Sequence, residues 1–256
     1  MMEEKIQTHK SGTPKKVVID IKNLKKSFGK LEVLKDINVQ IYEGENLVVL
    51  GKSGTGKSVL IKCIVGLMDL DDGEIIVFDE NIKEMNTESL SKIRRRIGFL
   101  FQSGALYDSM NVKQNLEFPL LRSPIKFSQE EIDKKTNEAL SHVGLEKAIL
   151  QMPSQLSGGQ RKRISLARTI VTNPEIMLYD EPTTGLDPVT SDEISGLIRD
   201  VQRQYKTSSI IITHDINCVR SVADRIVMLK DGIVYKEGDL ASFESSDDPE
   251  IKSFFK

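Results

Sequence analysis

Tryptophan is absent from the sequence, aromatic residues make up 5% of it, and only two cysteines occur. Cys63 and Cys218 lie far apart, each in a helix-like segment beside apolar residues. Two isolated cysteines indicate neither a disulfide framework nor a cysteine-rich zinc site. We therefore expect both to be small buried residues.

A surplus of one charge and a long hydrophobic run are also missing. Lys and Arg number 36 and Asp and Glu 38, so a net charge of -2 points neither to nucleic acid nor to an anionic membrane surface. No apolar run approaches the roughly 18 residues that a membrane-spanning helix needs. Residues 1–16 are polar and lack the apolar core of a signal peptide. We expect a loosely ordered tail there, and a chain that stays in the cytoplasm.

Alternating strand and helix patterns occupy most of the remaining sequence. Strands are predicted at 17–27, 33–41, 46–50, 73–78, 97–101, 176–180 and 208–213. Helices are predicted at 57–66, 87–95, 159–171 and 189–205. Asp231-Gly232 predicts a closing hairpin between 226–229 and 233–236. Such alternation is typical of an α/β fold with a mostly parallel sheet covered by helices.

The segment from about 103 to 156 departs from this pattern because it is helical in character. Its clearest helical spacing lies in 132–145, and Pro119, Pro124 and Pro153 mark the predicted breaks. A helical insertion in an α/β core is the simplest interpretation.

A glycine-rich loop follows the strand 46–50 directly and opens into a helix. It matches the phosphate-binding pattern G-x-x-x-x-G-K-[ST] at every defined position. Its glycines let successive N–H groups turn toward phosphate oxygens, and the helix adds the positive end of its dipole. Lys57 is expected to reach the β- and γ-phosphates, and the Ser58 hydroxyl to bind Mg²⁺. The residues of this predicted site are Gly51, Lys52, Ser53, Gly54, Thr55, Gly56, Lys57 and Ser58.

Two adjacent carboxylates end the apolar strand 176–180. Asp180 is placed to hold Mg²⁺, directly or through water, and Glu181 to take or orient an attacking water as general base. Two acids in a buried strand would be costly, so their place at its end argues for a nearby cation. A solvated strand end is the alternative for this motif alone.

Two further polar residues follow predicted strands. His214 follows 208–213, and Gln102 follows 97–101. A histidine at a strand end is by itself more often structural than catalytic, and a lone glutamine there means little. Neither residue identifies a function without further context.

The pentad Leu156-Ser157-Gly158-Gly159-Gln160 resembles the signature motif of the ABC-transporter ATPases. The resemblance runs from about Val17 to Gly238. It implies a P-loop NTPase core of ABC type, with an N-terminal antiparallel β subdomain and an inserted helical signature subdomain at about 103–160. It also implies an ATP- and Mg²⁺-dependent homodimer, in which Ser157, Gly158, Gly159 and Gln160 clasp the ATP held by the other copy.

The other family motifs are matched residue by residue. Phe28 resembles the aromatic residue that stacks on adenine, and Gln102 the Q-loop glutamine that senses Mg²⁺ and water. Asp187 in Gly185-Leu186-Asp187-Pro188 matches the D-loop at the dimer interface, and His214 the switch histidine at the γ-phosphate. Glu181, His214 and Gln102 are then the expected catalytic residues, and Ser58, Gln102 and Asp180 the expected metal ligands.

A narrower resemblance concerns the stretch Phe101–Val112 and the tail 248–255. Both look like the ATPases of the Mla phospholipid-transport systems, which work with Mce-type lipid-binding subunits. The resemblance implies permease docking near Gly104–Val112, at the cytoplasmic face of a bacterial inner membrane. A generic ABC helical subdomain remains the alternative.

The expected organisation is a tail at 1–16, one ATPase domain at 17–243 and a C-terminal tail at 244–256. The same motifs would serve another cargo, such as lipoproteins in release or amino acids in import. A soluble ABC ATPase of DNA repair or translation is a further alternative. Such proteins usually carry two ATPase units and long arms or zinc modules, which this sequence lacks.

Overall fold

Ten strands form a single mixed sheet in a computed structural model that describes residues 15–255. In sheet order the strands are β5, β4, β1, β2, β10, β9, β3, β8, β7 and β6. Their bounds in chain order are β1 Val17–Phe28, β2 Leu31–Tyr42, β3 Asn46–Leu50, β4 Asp72–Val77, β5 Glu80–Asn81, β6 Ile97–Leu100, β7 Ile176–Asp180, β8 Ser208–Ile212, β9 Arg225–Lys230 and β10 Ile233–Gly238.

Nine α-helices accompany the sheet within the same residues. They are α1 Lys57–Ile64, α2 Thr87–Arg95, α3 Val112–Leu121, α4 Gln129–His142, α5 Gly158–Ile170, α6 Pro188–Tyr205, α7 Ile216–Val222, α8 Leu240–Glu244 and α9 Pro249–Phe255. Reciprocal side-chain caps begin α3, α4 and α5, at Asn111, Ser128 and Ser157. Within the described residues, every helix is too short or too polar to cross a lipid bilayer.

The parallel centre of the sheet determines where the functional loops meet. Strands β3, β7 and β8 are buried at every position, as expected of parallel strands covered on both faces. β8 pairs in parallel with both β3 and β7, opposing Val48 to Ile211 and Leu178 to Ile210. The carboxyl ends of the three strands therefore reach one edge of the sheet, which is the usual ligand edge of α/β folds.

An antiparallel layer and a helical insertion complete the predicted fold class. β1 pairs antiparallel with β2 and β4, and a parallel pair between Ile233 and Asp36 joins this layer to the central strands. Helices α3, α4 and α5 lie between β6 and β7 and share one apolar core. The expected core, antiparallel subdomain and helical insertion are thus all confirmed.

Three local predictions differ from the structure. Pro119 was expected to break a helix, but it lies inside α3, where its missing N–H removes only a bond near the helix end. The helix predicted at 57–66 ends at Ile64 because Gly66 takes a left-handed conformation, with φ of 63°. The residues expected as a C-terminal tail include α9, whose Ile251 is buried. Residues 1–14 of the tail predicted at 1–16 lie outside the described residues.

Both cysteines are buried core residues, as expected. Cys63 lies on α1 and Cys218 on α7, and neither forms a disulfide. Burial raises the pKa of the Cys63 thiol to about 11 and that of the Cys218 thiol to about 12. Both thiols are therefore protonated at neutral pH, which makes them poor nucleophiles and poor metal ligands.

A buried ion pair ties the antiparallel layer to the central sheet. Arg225, at the start of β9, donates from Nη2 to Glu45 Oε1 at 2.6 Å and to the carbonyl of Gln40, and from Nη1 to Glu237. Arg225 and Glu45 are only 8% and 4% exposed. Removing one partner would leave a buried charge without compensation, which is costly.

We expect Arg225→Ala to lower the free energy of unfolding by about 3–5 kcal/mol, because Glu45 would lose its buried counter-charge. Urea unfolding followed by circular dichroism measures this change. Arg220→Ala is the matched control, since Arg220 pairs with Glu244 on the surface, and it should cost less than about 1 kcal/mol. Equal losses in the two variants would contradict the role given to Arg225.

Candidate functional site

The phosphate-binding loop connects β3 to α1 and is shaped by close backbone packing. Gly56 has φ of 96°, and a Cβ atom there would lie 2.6 Å from Leu34 Cδ2. Only glycine satisfies both constraints. α1 begins at the next residue, Lys57, so its unpaired N–H groups and its positive dipole end face the loop.

Lys57 lies inside this loop. Its Nζ donates to the carbonyl oxygens of Gly51 at 2.7 Å and Lys52 at 3.0 Å. Burial lowers the pKa of the Lys57 ammonium, while the carboxylates of Glu181 and Asp180 act in the opposite direction. An ammonium held among inward-facing backbone groups is suited to pair with phosphate oxygens.

The phosphate loop and the acidic strand end meet through one hydrogen bond. Ser58 Oγ donates to Asp180 Oδ1 at 2.9 Å, although the two residues are far apart in sequence. Mg²⁺ prefers oxygen ligands, and this hydroxyl and carboxylate offer two oxygen atoms side by side. The residues present therefore fit a magnesium ion.

Glu181 and His214 form the second polar pair of the site. Glu181 Oε2 accepts a hydrogen bond from Thr184 Oγ1 at 3.0 Å and lies 2.8 Å from His214 Nδ1. The Glu181 backbone is left-handed, with φ of 50°, and its N–H donates to the carbonyl of Ile212. This unusual backbone turns the carboxylate away from the buried strand and toward His214.

These residues surround an open cavity of ≈ 730 Å³. Its walls carry nine of the predicted site residues, namely Lys52, Ser53, Gly54, Gly56, Lys57, Ser58, Gln102, Glu181 and His214. The volume and the polar lining suit a small phosphorylated ligand. Phe28 is not part of this wall: its ring is 46% exposed at the end of β1, and Val33 lines the cavity on that side.

The signature residues form a separate cluster. Ser157 caps α5, its Oγ accepting the N–H of Gln160 at 3.2 Å. Asp187 caps α6 through Thr190, and Gly159 approaches Thr190 so closely that a Cβ would lie 2.5 Å from its methyl group. None of Ser157, Gly158, Gly159, Gln160 or Asp187 lines the cavity in the described chain. The start of the signature helix therefore lies outside the cavity that the phosphate loop of the same chain lines.

The C-terminal helix supplies residues that the sequence analysis missed. Ser253 and Phe254 of α9 line the cavity, and Glu250 contacts Lys52 Nζ at 2.5 Å and Lys230 Nζ at 3.2 Å. Asp248 caps α9, and Pro249 opens it. That Asp-Pro-Glu start is a recognisable helix signal, but nothing in the sequence shows where such a helix would dock.

Comparison with known proteins gives a consistent family assignment. The profile of the family described as "ABC transporter" matches residues 34–184. A probable ribonucleotide transport ATP-binding protein mkl of Mycobacterium leprae is 40% identical over 94% of this chain and 69% of its own length. The methionine import ATP-binding protein MetN of Clostridioides difficile is 35% identical over 87% of this chain and 68% of its own length.

Solved structures of similar proteins agree with this fold. A dimeric post-hydrolysis state of the ATP-binding cassette MJ0796, bound to ADP and Pi, superposes with a TM-score of 0.79 at 35% identity. The superposition covers 87% of this chain and 98% of the MJ0796 chain. The cbiO1 protein from Clostridium perfringens, part of the cbiONQ transporter complex, superposes with a TM-score of 0.81 at 31% identity, covering 87% of this chain and 88% of its own.

We expect Lys57→Ala to weaken ATP binding by about 10-fold to 100-fold, because a charge-assisted contact to phosphate would be lost. Isothermal titration calorimetry with ATP measures the dissociation constant directly. Lys92→Ala, at an exposed lysine of α2 that pairs with Glu88, is the control and should bind as the wild type does. Unchanged affinity in a folded Lys57→Ala protein would contradict the phosphate-loop assignment.

Proposed function

This chain belongs to the ABC transporter family and is an ATPase, and we propose that it drives membrane permease subunits as an ATP-dependent homodimer. The observation that carries the proposal is that the ATP-binding motifs of one chain lie in two separate places. The phosphate loop, Glu181 and His214 line one cavity, and Asp180 contacts the loop through Ser58. Ser157 and its neighbours lie elsewhere.

A second copy of the chain would bring the two sets of motifs to the same nucleotide. The capped start of α5 presents Ser157 and glycine N–H groups, which suit a phosphate as ligand. In the proposed dimer this helix start closes on the ATP bound by the other copy. The dimeric form of MJ0796, whose fold this chain shares, supports that arrangement. Each nucleotide then holds two protomers together, and its hydrolysis releases them.

The chemistry at each site is proposed as follows. Lys57 and the loop N–H groups bind the β- and γ-phosphates, and Glu181 orients or deprotonates the attacking water with His214 and Gln102 beside it. Ser58 and Asp180, with Gln102, would hold Mg²⁺. The ion would offset the negative charge of the phosphates. Phe28, with its exposed ring, is proposed to stack on the adenine.

A groove beside the helical insertion is the proposed permease docking site. It has a volume of ≈ 820 Å³, and its lining includes Gly104, Ala105 and Tyr107 of the predicted docking segment. Seven of its described lining residues are Lys or Arg and none is Asp or Glu, while Phe101 and Tyr107 expose their rings. A short permease helix with carboxylates and an apolar anchor would complement this surface. The chain would thereby sit at the cytoplasmic face of an inner membrane.

We propose phospholipids as the transported cargo, with a lipid-binding Mce-type subunit among the partners. The support is the resemblance of Phe101–Val112 and residues 248–255 to Mla-type ATPases. Amino-acid import is the second candidate, and the similarity to MetN, named for methionine import, favours it. The mkl relative is named for ribonucleotide transport.

We expect Glu181→Gln to keep ATP affinity, to slow hydrolysis by roughly 10²-fold to 10⁴-fold, and to accumulate a dimer in Mg·ATP. Loss of the carboxylate removes water activation, whereas the phosphate contacts remain. Phosphate release and size-exclusion chromatography with light scattering measure the two effects. Glu193→Gln, on the exposed face of α6, should behave as the wild type. Near-normal hydrolysis by Glu181→Gln would remove this residue from its role.

We expect Arg122→Glu to abolish co-purification of a membrane protein while leaving ATP affinity unchanged. The reversal places a carboxylate in a basic groove away from the nucleotide cavity. Affinity purification of the tagged chain from its host's membranes, followed by mass spectrometry, identifies the partner. An Mce-domain protein that is recovered with the wild type and lost with Arg122→Glu supports phospholipid cargo. A periplasmic amino-acid-binding protein would contradict it.

A further inference from the structure

Lys162 is a buried cation that the proposed catalytic scheme does not use. It lies one turn into α5, with 7% of its surface exposed, and it is not part of the nucleotide cavity wall. Its Nζ donates to the main-chain carbonyl of Gln102 and lies 3.5 Å from that of Glu181. The adjacent Arg163 is only partly buried, and its guanidinium pairs with Glu193.

The two acceptors belong to different loops. Gln102 follows β6 and Glu181 follows β7, and both side chains line the nucleotide cavity. The Lys162 ammonium therefore holds the main chain of Gln102 and Glu181, whose side chains are expected to act on the attacking water. The bond to the Gln102 carbonyl is charge-assisted and so stronger than an ordinary backbone contact, and the longer contact to the Glu181 carbonyl adds a weaker attraction. The Glu181 backbone is left-handed, which makes outside support of its conformation important.

The position of Lys162 is difficult to explain by stability alone. Its helix already buries Ile164, Leu166 and Ile170 in the core. A buried ammonium without a carboxylate hydrogen bond is a costly way to fill such a position. Burial lowers the pKa of the Lys162 ammonium, and the nearby Asp180 and Glu181 carboxylates offset that shift only in part.

The same helix begins at Ser157, where the proposed dimer receives the ATP of the other copy. One turn of α5 thus separates Ser157, which caps the ATP of the other copy, from Lys162. Lys162 in turn holds the backbone of Gln102 and Glu181, whose side chains face the ATP of their own copy. We propose that Lys162 is a positioning residue that links the two ATP sites of the dimer. This inference rests on the proposed two-copy site. Closure of Ser157 on one ATP sets the Q-loop and Glu181 for hydrolysis of the second.

Lys162→Met tests the link, because methionine keeps an unbranched side chain of nearly the same length and removes the donor. We expect kcat to fall by about 10-fold to 100-fold, the scale of a misplacement of about 1 Å, with the ATP dissociation constant within about twofold of the wild type. We also expect any cooperativity in ATP concentration to be lost. Lys162→Arg, which keeps a buried donor, should restore part of kcat. Arg163→Met is the matched control on the next position of α5.

Dimer formation separates this inference from the proposed function. The double variant Lys162→Met/Glu181→Gln should still dimerise in Mg·ATP, because the Ser157 cap is untouched. If Glu181→Gln alone does not dimerise, the proposed function fails. If Glu181→Gln dimerises but the double variant does not, Lys162 is a structural residue of α5 and the link is overturned. A kcat of Lys162→Met within twofold of the wild type also overturns it. Should Lys162→Met not fold, Lys162→Gln is subjected to the same criteria.

Discussion

The hydrogen bond between Ser58 and Asp180 joins the two halves of the site, and the other functional groups are positioned around it. Ser58 is fixed by the phosphate loop after β3, and Asp180 by the buried end of β7. They meet because β8 pairs in parallel with both strands, which brings three carboxyl ends to one edge. Glu181 and His214 follow from the same alignment, each one residue or two beyond a neighbouring strand. The site is thus a product of sheet register, and a shift of register would separate all four groups together.

Much of this arrangement can be predicted from the sequence because its signals are local. A strand, a glycine-rich loop and a helix start specify the phosphate loop, and an apolar run ending in Asp180 and Glu181 specifies the acidic edge. Parallel pairing then predicts that these ends are close, as the structure confirms. The capped start at Ser157 is also local, since the serine and Gln160 lie within one helical turn. His214 and Gln102 gain meaning only from the family resemblance, because a single polar residue after a strand has no distinctive pattern.

The remaining features depend on contacts distant in sequence. Lys162 looks like one cation in a basic stretch, and only the fold shows that it is buried while Arg161 is exposed and Arg163 is only partly buried. α9 has a readable start, but its docking beside Lys52 depends on a surface that exists only after folding. The sequence predicts a helix break at Pro119, but the residue lies within α3, because a proline near a helix end removes little hydrogen bonding. The cargo is the property that is hardest to predict from this sequence, because an ATPase of this family need not contact what its permease carries.

In the proposed dimer, one copy's phosphate loop and the other copy's Ser157 enclose the same nucleotide. Pulsed electron spin resonance measures this directly, with one copy labelled at Lys52→Cys and the other at Ser154→Cys, an exposed position beside Ser157. The native cysteines are buried, so labels attach to the introduced ones. In a hydrolysis-deficient background, we expect a short distance between the two labels that appears only with Mg·ATP. An ATP-dependent dimer in which these labels remain far apart would contradict it.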